Sequence, residues 1–113
     1  MKAKPETGGA ALIWCPFPDE TAVEDAVAIL IDEGLIACAN LVPMRSLYVW
    51  QGKREEAREI GVLFKTRVDL VDRALERLVA LHPYEAPAAL AWRCDAAAPA
   101  TLAWLGALQG ALA

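Results

Sequence analysis

Apolar positions follow two rhythms along this chain, and each rhythm predicts its own kind of element. Ala10 to Cys15 is an unbroken apolar run closed by Pro16 and Pro18, the pattern of a first, buried strand. Val23, Ala26, Val27, Leu30 and Ile31 then recur at i, i+3, i+4, i+7 and i+8, which is one face of a helix. Asp19 or Thr21 can cap it, with Glu24 at capping-box spacing from Thr21, and Gly34 stands where a left-handed residue ends a helix. Leu35 to Val42 reads as a strand that Pro43 bends or ends. Arg45 to Trp50 alternates, Leu47 and Val49 on one side, Tyr48 and Trp50 on the other. Gln51-Gly52-Lys53 predicts a hairpin turn, because Gly52 tolerates positive φ. Arg54 to Arg58 is a charged arm, and Glu59 to Thr66 returns as a strand. Asp69 is placed to cap a second helix, in which Val71, Ala74, Leu75, Leu78 and Val79 repeat the five-position spacing up to Pro83. Ala86 to Cys94 predicts a last apolar strand, and Pro99 opens a C-terminal helix reaching Leu108.

The predicted order is β-α-β-β-α-β with an extra helix. It defines an α+β, ferredoxin-like antiparallel sheet with two helices on one face and a C-terminal helix. A chain of 113 residues suits one domain, residues 10–113, behind a loose tail over 1–9. The sheet leaves one face uncovered, and Leu35 to Thr66 is long for two ordinary strands. Long apolar strands invite pairing with another chain, so the pattern already points to an oligomer.

Composition narrows the classes. Hydrophobic residues make up 57% and charged residues 23%, which excludes disorder. A net charge of −4 argues against a nucleic-acid partner, which asks for a basic face. No apolar run approaches the roughly 18 residues of a membrane span. Lys2 and Lys4 before an apolar stretch resemble a signal peptide, but Pro5 and Glu6 interrupt it and no small-x-small site follows. Cys15, Cys38 and Cys94 form no C-x-x-C pair, and an odd, widely spaced set fits reduced thiols in the cytosol. G-x-S-x-G, P-loop, H-E-x-x-H and G-x-G-x-x-G motifs are all missing, and Cys15 beside Trp14 and Pro16 carries no sign of thiolate activation.

Two stretches are more specific. Arg45-Ser46-Leu47-Tyr48-Val49-Trp50-Gln51-Gly52-Lys53 and His82-Pro83-Tyr84-Glu85-Ala86-Pro87, with Cys15, Pro18-Asp19-Glu20 and Leu35-Ile36-Ala37-Cys38-Ala39-Asn40 before them, resemble the CutA-type divalent-cation-tolerance family over about Cys15 to Trp104. The chain departs from that pattern at Gln51, at Met44 and after Cys94. The resemblance implies a ferredoxin-like homotrimer whose hairpins extend onto neighbouring subunits. It implies a role in tolerance of copper and other divalent metals, with no established enzymatic activity. It also implies that Cys15, Cys38 and His82 match positions proposed to contact copper, with Glu85 nearby, and that metal is bound weakly where it is bound.

Each of these residues has a plainer reading. His82, the lone histidine, falls in a helix's last turn, where an imidazole can meet free carbonyls. Cys15 and Cys38 suit a core hydrophobe as well as a copper-seeking thiolate, and Cys94 reads as packing. Tyr48, Trp50, Tyr84 and Trp104, with Lys53 at the turn, are expected at the trimer interface, since a monomer would expose a hairpin-tip tryptophan. Two other function classes stay open. One is a trimeric module binding nucleotides or other anions between subunits through Arg45, Lys53, Lys65 and Arg67; the other is a pure assembly scaffold.

Overall fold

The structure, a computed structural model, describes residues 9–110. The predicted tail lies outside the described residues except for Gly9, whose carbonyl accepts from the Val68 N–H at 2.8 Å. The elements are β1 (Ala10–Phe17), α1 (Glu20–Asp32), β2 (Cys38–Trp50), β3 (Lys53–Arg67), α2 (Val71–Leu81), β4 (Leu90–Arg93) and α3 (Pro99–Gly106). The four strands form one antiparallel sheet in the order β2-β3-β1-β4. This is the ferredoxin-like arrangement that the element order predicts.

Alternation assigns the two faces. Ala11, Ile13, Cys15 and Phe17 of β1 pair with Thr66, Phe64, Val62 and Ile60 of β3 and point towards the helices. Val23, Ala26 and Leu30 of α1 and Val71, Ala74 and Leu78 of α2 cover them and complete the core. Asp19 caps α1, its carboxylate accepting from the Ala22 N–H at 2.9 Å, and Gly34 follows the helix with φ +69°.

Several expectations are corrected. β1 does not stop at Cys15 but runs through Pro16 to Phe17. β4 pairs only with Ala11 to Trp14, so at Pro16 one side of β1 has no ladder for the missing N–H to break. The two pieces expected on either side of Pro43 are one strand of 13 residues, because β2 is an edge strand and tolerates a proline. The charged arm Arg54–Arg58 is likewise part of β3. β2 and β3 pair from Cys38↔Lys65 out to Trp50↔Lys53, and Gln51 and Gly52 close the hairpin with φ of +51° and +78°. Positive φ at both central residues is the turn whose twist matches that of the strands. Asp69 does not cap α2; it pairs with Arg67, and Leu70 holds the cap position without a side-chain bond. The last strand is four residues, not nine. α3 ends at Gly106, after which the chain returns so that the Gly110 N–H reaches the Gly34 carbonyl at 3.0 Å.

Candidate functional site

His82 is the residue just past α2. Pro83 disfavours the helical conformation for its predecessor, and His82 is extended, with φ −74° and ψ +141°. Its ring therefore leaves the helix end, contrary to the expected meeting with helix carbonyls. It lies against Phe17 with ring centroids 4.2 Å apart. Nδ1 accepts from the Tyr84 N–H at 3.0 Å, so the proton sits on Nε2, which donates to the Pro16 carbonyl at 2.8 Å. Burial holds the imidazole below its ordinary pKa, against an opposing pull from the Pro16 carbonyl and the Glu59 charge. Both ring nitrogens are used, and neither offers a lone pair to a metal.

Tyr84 follows. Its hydroxyl donates to Glu59 on β3 at 2.7 Å, and its ring lies 4.8 Å from that of His82. Burial and the Glu59 carboxylate keep the phenol above its usual range. A chain of contacts thus runs from β1 through His82 and Tyr84 to the stem of the hairpin. This loop and the hairpin enclose an open groove of about 670 Å³, whose walls include Ser46, Tyr48, Trp50, Glu59, Tyr84 and Glu85.

Cys15 is fully buried on the helix-covered face, and burial, with the Glu59 charge, pushes its thiol up to about 12. Cys38 lies on the opposite face, half-buried, its thiol 3.5 Å from the Asn40 side-chain oxygen. It ends the cross-strand row Trp92–Leu12–Lys65–Cys38, whereas Cys15 belongs to the row Cys15–Val62–Leu41. Glu85 is exposed on the loop. The copper set expected from the resemblance does not converge within one chain, and among the described residues no three His, Cys, Asp or Glu side chains form a metal-holding group.

The cations proposed for an anion site are partly engaged. Arg67 donates from Nη1 to the carbonyls of Leu105, Gly106 and Leu108 at 3.0–3.2 Å, closing the end of α3, and pairs with Asp69. Arg45 pairs with Glu56 across the hairpin at 2.6 Å. Lys65 lies between Leu12 and Cys38 in the sheet, and Lys53 is exposed at the turn.

Of the expected interface residues, Tyr48 and Trp50 stand half-exposed along the hairpin arm, Tyr84 is held by Glu59, and Trp104 is exposed on α3. Sequence reasoning expected an uncovered sheet face but did not name the residues that form it. Leu90 (64% exposed), Trp92 (46%) and Val42 (51%) share the face of the sheet opposite the helices with Leu12, Trp14 and Leu63. The signal was available in β4, whose Leu90 and Trp92 alternate with Ala91 and Arg93.

A ferredoxin-like domain with an overlong central hairpin and an uncovered apolar sheet face is the class that these features define. The family model for the CutA1 divalent ion tolerance protein matches residues 11–107, and the chain belongs to that family. The divalent-cation tolerance protein CutA of Pyrococcus horikoshii is 43% identical over 94 residues, covering 83% of this chain and 92% of its own. The Escherichia coli protein of that name is 35% identical over 108 residues, covering 95% and 96%. Among solved structures, CutA1 from Oryza sativa matches with a TM-score of 0.82 at 30% identity, over 90% of this chain and 94% of its own. A periplasmic divalent cation tolerance protein CutA from Archaeoglobus fulgidus matches with a TM-score of 0.82 at 27% identity, over 86% and 95%.

Proposed function

We propose that this protein serves in divalent-cation tolerance as a non-enzymatic homotrimer that meets copper weakly, through solvent-reachable donors and not through a built metal centre. The observation that carries the reading is the match of residues 11–107 to the divalent ion tolerance family. The absence of enzymatic chemistry is supported by the one thiol–imidazole pair available: His82 spends both nitrogens on backbone groups, and Cys15 is held as a thiol. The trimer is supported by the apolar face of Leu90, Trp92 and Val42, left exposed on the side of the sheet opposite the helices, as exposed apolar patches mark interaction surfaces. Three unpaired cysteines support a reducing, cytosolic setting, in contrast to the relative named as periplasmic.

Copper contact falls to Cys38, a half-buried sulfur donor on the uncovered face, with Glu85 as a separate exposed oxygen donor. Copper(I) titration of the wild type against single variants tests this. Weak binding is expected to vanish in Cys38→Ser and to survive in Cys15→Ser and His82→Ala. Binding that survives Cys38→Ser but disappears with Cys15→Ser would return the site to the buried thiol and overturn the assignment.

A further inference from the structure

The uncovered face of the sheet carries a charge that its own chain leaves unanswered. Lys65 stands half-buried there, paired with Leu12 of β1, which is paired in turn with Trp92 of β4. It enters no ion pair and no side-chain hydrogen bond among the described residues. Covering this face with a second copy takes the ammonium out of water, and a buried charge without a counter-charge is strongly destabilising. The covering surface must therefore bring a carboxylate. The strands offer three, Glu55, Glu56 and Glu59, all on β3. Glu56 lies on the other face of the arm and is held by Arg45, and Glu59 is held by the Tyr84 hydroxyl. Glu55 remains. It shares the face of Lys65, being an even number of positions away, is exposed, and has no partner among the described residues. Its cross-strand neighbour is Tyr48, with Trp50 beyond, so it stands beside the aromatic side chains expected where copies meet. Within one chain the two cannot touch, because ten positions along β3 span roughly 33 Å.

We propose that Lys65 of one copy and Glu55 on the arm of the next form an ion pair that sets the register in which the arm lies on the neighbouring sheet face. Apolar surfaces slide against one another at little cost, whereas a charge pair set among them is satisfied in one register only. The proposal rests on the homotrimer reading above and adds the contact that makes its geometry unique.

Charge reversal in both directions tests it, by sedimentation equilibrium over a concentration series, with far-ultraviolet circular dichroism confirming that each variant is folded. Lys65→Glu and Glu55→Lys are each expected to weaken assembly by about tenfold or more, and the double variant, with the pair inverted, to recover most of the loss. Mixing the two single variants is expected to give assemblies that neither forms alone, since each copy carries the charge that the other's contact lacks. A pair within one chain could not be rescued in this way. A wild type that stays a single chain overturns the homotrimer reading and this proposal with it. A trimeric wild type in which the two reversals simply add, or in which mixing restores nothing, overturns the pair alone.

Discussion

A single imidazole ties three parts of the molecule together. His82 takes the Tyr84 N–H on Nδ1 and gives its own proton to the Pro16 carbonyl, with Phe17 against its ring. Protonating Nδ1 sets two donors against each other, so acid acts on this residue directly. Its folded pKa lies below the ordinary 6.5, chiefly through burial. The neutral form therefore contributes stability that is fully present above pH 6.5 and is lost as pH falls through the folded value. In urea denaturation, the wild type is expected to lose more stability between pH 7.5 and pH 5.5 than His82→Gln, which has nothing to titrate there. At pH 7.5 the variant itself is expected to cost about 1–2 kcal/mol, for two disturbed hydrogen bonds. Parallel pH profiles for the two proteins would show that His82 is not the titrating group.

At the scale of the elements, β3 is held close to its neighbours by a missing side chain. An ideal Cβ on Gly61 would stand 2.3 Å from the Trp14 ring and 2.9 Å from the Met44 sulfur. Gly61→Ala must therefore push the indole aside, and is expected to cost about 1–3 kcal/mol by thermal or urea unfolding. Adding Trp14→Leu should give back part of that loss, since the two side chains then no longer compete; additive costs would sink this account of the packing. Such a contact joins residues 47 positions apart in sequence, and no local pattern announces it. What was legible were features written in local periodicity. The two helices showed in their i, i+3, i+4 spacing, the hairpin turn in Gly52, and the first cap in Asp19 as one of two candidates beside Thr21. Pro16 and Pro43 misled, because a proline's cost depends on whether a neighbouring strand needs its N–H, and only the finished sheet decides that. The candidate site was legible as a set of motifs, not as a geometry. His82 and Tyr84 do act together, but Cys15 and Cys38 fall on opposite faces, a consequence of strand alternation and register.

The whole molecule is longer than its size requires. Its radius of gyration is 15.1 Å and its extents are 50 × 30 × 23 Å, against about 13 Å expected for a compact domain of this length. The excess lies in the β2–β3 arm, where Leu47 and Val49 are 68% and 69% exposed. An arm of two strands is marginal alone in water, and its pairing out to Trp50 needs a surface to lie on. The uncovered sheet face supplies the complementary need, for Leu90, Trp92 and Val42 gain by leaving water. Copies of the chain can satisfy both at once, because each brings one arm and one face. In the homotrimer proposed above, three copies would close such a head-to-tail contact into a ring with no surface left over to propagate it. Sedimentation equilibrium at micromolar concentration is thus expected to return three times the mass of one chain. Trp92→Glu, at a side chain that stands 46% exposed on a four-residue edge strand, is expected to shift the protein towards single chains and to lower its melting temperature in a concentration-dependent way. A folded wild type sedimenting as one chain, or a Trp92→Glu protein that stays trimeric with unchanged melting, would show that this face is not where the copies meet.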